Sequence, residues 1–200
     1  MNIKEDYKRE IGDIISIWAK AKLFYNDSLY LSNPKSDKES AMISKNRVLN
    51  EIRYSLWVLT VLELCKLFDD NNNQCFNLFK FIRKIKQDRN KLIFKDKITS
   101  ITINDWENKL QNNQTFNTIG KLKDLRDKYY AHSDRKPELL PEELTPNINS
   151  IEELLRIGQE IIYEFQGTVF DIDQDFETPI LAGQILDDLT ELAEYRDKYK

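Results

Sequence analysis

A chain of 200 residues with 40% apolar and 32% charged residues, only five Gly and only five Pro is globular and helix-rich, which excludes a disordered or low-complexity protein. One histidine and two cysteines, Cys65 and Cys75, do not build a zinc site, and no Gly-rich phosphate loop or GxSxG elbow is present. The net charge of −4 conceals a division: residues 1–137 hold 26 Lys and Arg against 18 Asp and Glu, a balance of +8, and residues 138–200 hold 4 against 16, a balance of −12.

The N-terminus lacks the apolar stretch of a signal peptide, and the longest apolar run, near Leu56–Leu64, is interrupted by Thr60 and Glu63, so a cytoplasmic protein without a membrane span is expected. Both cysteines read as ordinary thiols in or near a core. A single domain over residues 1–200 is expected, with residues 171–200 an acidic C-terminal extension.

Ile11, Ile14, Ile15, Trp18, Ala21, Leu23 and Tyr25 repeat at helical spacing and predict a long helix over residues 4–31, ended by Asn33-Pro34. Ser36-Asp37-Lys38-Glu39 has capping-box form and opens a helix reaching Phe68, with a break near Ser44. Asp69-Asp70-Asn71-Asn72-Asn73-Gln74 reads as a polar turn rather than a metal loop. Helical spacing resumes over Phe76–Phe94.

Between Lys80 and Lys97 stand eight basic and two acidic residues, a local charge of +6. Such a run is either a solvated face or an RNA-backbone surface led by Lys80, Arg83 and Lys84. Thr99–Ile103 is β-prone and reads as a small strand or extended connection, followed by a short helix capped at Asn104 or Asp105 and a loop at Asn112-Asn113-Gln114. Ile119, Leu122, Leu125 and Tyr129 then share a helical stripe. Pro137, Pro141 and Pro146 interrupt, and Ser150-Ile151-Glu152-Glu153 suggests the cap of an amphipathic helix through Phe165. The acidic alternation of Asp171, Asp173 and Asp175 is not an EF-hand, since Phe176 and Ala182 occupy the loop positions that require Gly and Glu. A last short helix is expected over Leu181–Tyr195.

The stretch Leu125-Arg126-Asp127-Lys128-Tyr129-Tyr130-Ala131-His132 holds the one histidine, six positions after an arginine. Arginine holds phosphate oxygens in a fork at any working pH, and histidine exchanges protons near neutrality. RNA supplies its own nucleophile, the 2′-hydroxyl, so a reaction built on this pair needs no cofactor or metal. On a straight helix six residues span about 9 Å and about 120° of rotation, so the two side chains do not share a face. A helix distortion or a second copy of the chain would have to unite them. His132 also extends the apolar stripe, which leaves a packed or interface histidine as the alternative.

This stretch, continued by Ser133-Asp134 and preceded by Leu62-Glu63-Leu64-Cys65-Lys66-Leu67-Phe68-Asp69, resembles the Arg-to-His motif of the HEPN superfamily (higher eukaryotes and prokaryotes nucleotide-binding domain) and is similar to its AbiU-like abortive-infection branch. The resemblance covers residues 5–170 and implies an all-α, HEPN-like helical bundle with additional C-terminal helices. It implies Arg126 and His132 as a catalytic pair, with Asp127 the polar residue that comes after the arginine. It further implies a homodimer with a composite site and metal-independent endoribonuclease activity in phage defence or a toxin–antitoxin system. Lys128 and Arg135 would contact phosphate, and Tyr129 or Tyr130 would stack on RNA or pack internally. An antitoxin is a further expected partner, as is a nucleotidyltransferase acting on Tyr129 or Tyr130. The alternative is a non-catalytic helical dimerisation or partner-binding module.

Overall fold

The computed structural model describes residues 3–70, 76–89, 97–130, 144–172 and 180–198. Among these the chain is all-α, with eight α-helices and no strand. The helices are α1 (Ile3–Ser32), α2 (Asp37–Lys45), α3 (Arg47–Phe68), α4 (Leu78–Asp88), α5 (Ser100–Gln111), α6 (Asn113–Leu125), α7 (Ile148–Phe170) and α8 (Leu181–Lys198). The turn expected at 71–74, Cys75, the far end of the basic run at 90–96, the segment 131–143 and the acidic segment 173–179 lie outside the described residues. No helix among the described residues is long and apolar enough to cross a membrane.

The chain packs as two compact units, one comprising residues 1–19 and 61–176, the other residues 20–60 and 177–200. In the first, the α1 stripe of Tyr7, Ile11, Ile14 and Trp18 is fully buried, together with Leu64 and Phe68 of α3, Phe81 and Ile85 of α4, and Ile161 and Phe165 of α7. Trp18 donates its indole N–H to the Leu155 carbonyl at 2.8 Å, which satisfies the one polar atom of a buried ring. Gly158 permits that approach: a Cβ there would stand 3.0 Å from Trp18 Cδ1. In the second unit Tyr30, Leu31, Ile43, Leu49, Ala182 and Leu186 form the core. Asp27 accepts the Ala182 N–H at 2.9 Å and so caps α8 from α1.

Local chemistry sets the helix ends. Ser36 caps α2 by accepting the Glu39 N–H at 3.2 Å, and the Glu39 carboxylate returns to the Lys35 N–H at 2.8 Å rather than to Ser36 itself. The break expected near Ser44 falls at Asn46, whose side-chain oxygen accepts the Val48 N–H at 3.0 Å and starts α3.

Three expectations are corrected. Thr99–Ile103 opens α5 instead of forming a strand: the Thr99 hydroxyl accepts the Thr102 N–H, and Ile103, Trp106 and Leu110 bury at helical spacing, so burial overrides β-propensity. The expected loop at 112–114 contracts to Asn112 alone, which accepts the Thr115 N–H at 2.9 Å and caps α6. Asn147, not Ser150, caps α7, with its side chain on the Asn149 N–H at 2.7 Å.

Candidate functional site

Arg126 stands where α6 ends, and from Arg126 to Tyr130 the helix widens into a π-helical turn. A π turn closes i→i+5 bonds and rotates each residue by less than an α-helix does. The straight-helix separation of about 120° therefore does not apply across this turn. His132 and Arg135 lie outside the described residues.

The guanidinium of Arg126 is held on two edges. Its Nη1 donates to Asp69 Oδ2 at 2.8 Å and its Nε to Asp127 Oδ1 at 2.7 Å. The Arg126 side chain is 15% exposed and that of Asp69 only 5%. Nη2 has no partner among the described residues. These two carboxylates hold the guanidinium well above its ordinary pKa, the Asp127 hydrogen bond contributing most and burial opposing it. The group is a fixed positive charge at every pH at which the protein folds.

Asp69 is itself positioned from three sides. It comes directly after the last residue of α3, with its N–H on the Cys65 carbonyl at 2.9 Å. Asn77, fully buried, donates its side-chain amide to the Asp69 carbonyl at 3.2 Å while its oxygen caps α4 through the Lys80 N–H at 2.8 Å. Lys123, one turn before Arg126 on α6, brings its Nζ to 3.6 Å from Asp69 Oδ1. Two aspartates and two cations thus balance to zero in one cluster. Cys65 lies beside them; burial pushes its thiol up to about 12, against the pull of Arg126, so it stays a neutral thiol near pH 7.

Sequence reasoning read Asp69 as a turn residue and Asn77 as part of an amphipathic run. The signal that could have found Asp69 was its position directly after the buried Leu67-Phe68 end of a helix, where a carboxylate needs a cationic partner.

The remaining candidates are dispersed. Lys128 pairs with Asp124 at 2.9 Å on the exposed side of α6, and Tyr129 and Tyr130 are half-buried in the π turn. On α4, Arg83 grips Asp70 with two bonds of 2.7 and 2.5 Å, Lys84 pairs with Glu10 and lies 4.6 Å from the Tyr7 ring centre, and Lys86 pairs with Glu107 at 2.7 Å. The +6 counted along the sequence is therefore partly offset by carboxylates from elsewhere in the fold, and Lys80 lies in the first turn of α4. Among the described residues no group of three or more His, Cys, Asp or Glu is arranged to hold a metal ion.

The AbiU2 model of HEPN domains matches residues 3–178, a span that includes both Asp69 and Arg126. The chain belongs to the AbiU2 family of HEPN domains. Within this abortive-infection HEPN domain, Arg126 has Asp69 as its buried partner. No curated protein and no solved structure gives a significant match to this HEPN domain.

Proposed function

We propose that this HEPN domain is a metal-independent endoribonuclease that works as a homodimer in the cytoplasm, in a toxin or phage-defence setting. The observation that carries the reading is Arg126 itself: a guanidinium fixed by Asp69 and Asp127 on two edges, with Nη2 open among the described residues. A planar fork held in this way can take up the charge that builds on a phosphoryl oxygen without reorganising.

In the reaction, the 2′-oxygen of RNA attacks the adjacent phosphorus, the O2′–P bond forms and the P–O5′ bond breaks. His132 exchanges the protons, accepting that of the 2′-hydroxyl or giving one to the leaving 5′-oxygen. Asp127 orients Arg126, and Asp69 positions it from beneath. The products are a 2′,3′-cyclic phosphate and a 5′-hydroxyl, and DNA is excluded because it lacks the nucleophile. Lys128, Arg135, Lys80, Arg83 and Lys84 are the proposed phosphate contacts, and Lys128, Arg83 and Lys84 would exchange their carboxylate partners Asp124, Asp70 and Glu10 for phosphate. An antitoxin, or a nucleotidyltransferase modifying Tyr129 or Tyr130, is the proposed controlling partner.

Cellular RNA incubated with the protein in EDTA, with the new ends mapped, tests the reading. Wild type is expected to cut and His132→Ala, folded and dimeric like the parent, to leave RNA intact. RNA left whole by wild type at high enzyme excess would instead support a second reading, a partner-binding module in which the doubly paired Arg126 is structural.

A further inference from the structure

Beside the Arg126 cluster lies an open cleft of about 570 Å³ whose wall includes Asp69 and Lys123, the two residues that tie it to that cluster. The cleft combines three chemistries. Phe79 and Phe116 give it aromatic surface, and Phe116 is 68% exposed. Gln111 and Asn113 bring side-chain amides, each able to donate and accept. Lys123, half-exposed, brings a cation to the side nearer Arg126.

Gly120 lines the same cleft. It sits within α6, where glycine costs about 1 kcal/mol relative to alanine. A Cβ at Gly120 would meet nothing within 4 Å, so no packing inside the fold calls for the missing side chain. Gly12 and Gly167 are equally open, but Gly120 is the one that lines this cleft.

Helical spacing orders these groups. Phe116, Gly120 and Lys123 succeed one another at intervals of four and three residues and so share a face of α6, and Arg126 comes three residues after Lys123, where α6 passes into the π turn. From Gly120 to Arg126 the axial distance is about 9 Å, a span in which the backbone of a single strand can run from a base seated in the cleft to a phosphate at the arginine.

We propose that this cleft is a nucleobase subsite: it receives, unstacked, a base of single-stranded RNA close to the scissile phosphate, and α6 sets the distance between them. The base stacks on Phe116 and Phe79, its edge meets the amides of Gln111 and Asn113, and its phosphate lies over Lys123 toward Arg126. The open floor at Gly120 leaves room for the ring. The proposal deepens the endoribonuclease reading and rests on it for the identity of the ligand as RNA.

The test separates binding from cleavage. A fluorescent 2′-O-methyl RNA oligonucleotide, which lacks the nucleophile, is titrated into wild type, Phe116→Ala and Gly120→Leu. Gly120→Leu fills the cleft with a better helix former, and Phe116 is mostly exposed, so both variants are expected to keep the wild-type melting temperature; circular dichroism checks this. Each is expected to bind about ten-fold more weakly. Adenosine, guanosine, cytidine or uridine 5′-monophosphate is expected to displace the probe, whereas ribose 5-phosphate at equal concentration leaves it bound. Wild-type affinity in both variants would overturn the subsite, as would equal displacement by ribose 5-phosphate, which would mark a phosphate site without base recognition. Weakened binding by the variants beside RNA left uncut by wild type would retain the subsite and discard the nuclease reading. Unaltered binding beside His132-dependent cleavage would do the reverse.

Discussion

Asp69 and Asp70 are neighbours in sequence, each bonded to an arginine, and they occupy opposite regimes of electrostatics. Asp69 is almost wholly buried and meets an Arg126 whose side chain is 15% exposed, whereas the Asp70 and Arg83 side chains are 43% and 46% exposed. The Arg83 fork is geometrically the fuller of the two, with two bonds to one carboxylate. Yet water screens it, and exposed pairs contribute little. A buried pair is no more stabilising than apolar packing would be, but removal of one partner leaves the other charge uncompensated. The lesson is that bond count does not rank the two pairs by what their loss would cost; burial does.

The largest expected effect breaks the buried half of this comparison. Asp69→Ala should lower stability by about 2–3 kcal/mol, read from urea denaturation, because Arg126 loses a charged hydrogen bond in a mostly buried setting. Arg126→Lys should cost about 1 kcal/mol: the charge survives, but one ammonium on a flexible stem does not replace a planar fork spanning Asp69 and Asp127. Asp70→Ala should cost about 0.5 kcal/mol in the same measurement. A loss for Asp70→Ala equal to that for Asp69→Ala would show that burial does not separate the pairs.

The smallest effect is a pH dependence on the exposed side. The Arg83 hydrogen bonds hold the Asp70 carboxyl below its ordinary value. Its contribution to stability is therefore present above the unfolded carboxylate value near about 4, and is lost as pH falls through the lower folded value. The difference in urea midpoint between wild type and Asp70→Asn should be small at pH 7 and close to zero at pH 2. A difference that persists at pH 2 would exclude the carboxylate as its source.

Much of the fold was legible because apolar residues recur at helical intervals: the stripe from Ile11 to Trp18 buries as its spacing requires, and Ser36 with Glu39 marks the start of α2. Helix ends depending on a single polar side chain were less so. Asn112 and Asn147 act as caps in places where proline and asparagine clusters suggested longer loops, and Thr99 turns a β-prone pentapeptide into the first turn of α5. At the site, Arg126 and Asp127 stood out by residue type and order. Asp69 did not, because its role depends on a contact 57 residues distant in sequence, which no local pattern encodes. The π turn was likewise invisible to spacing, since the sequence states only that a distortion would be needed, not where it falls.

The most direct measurement is the rate of RNA cleavage in EDTA by wild type, Asp69→Asn and Asp70→Asn, compared at a temperature where circular dichroism shows all three folded. Wild type should cut, Asp70→Asn should fall within about two-fold of it, and Asp69→Asn should be slower by about 100-fold, since an arginine displaced by about 1 Å no longer meets the phosphoryl oxygen in line. Equal rates for the two variants would contradict the assignment of Asp69 as the residue that positions Arg126, and RNA left intact by folded wild type would contradict the nuclease itself.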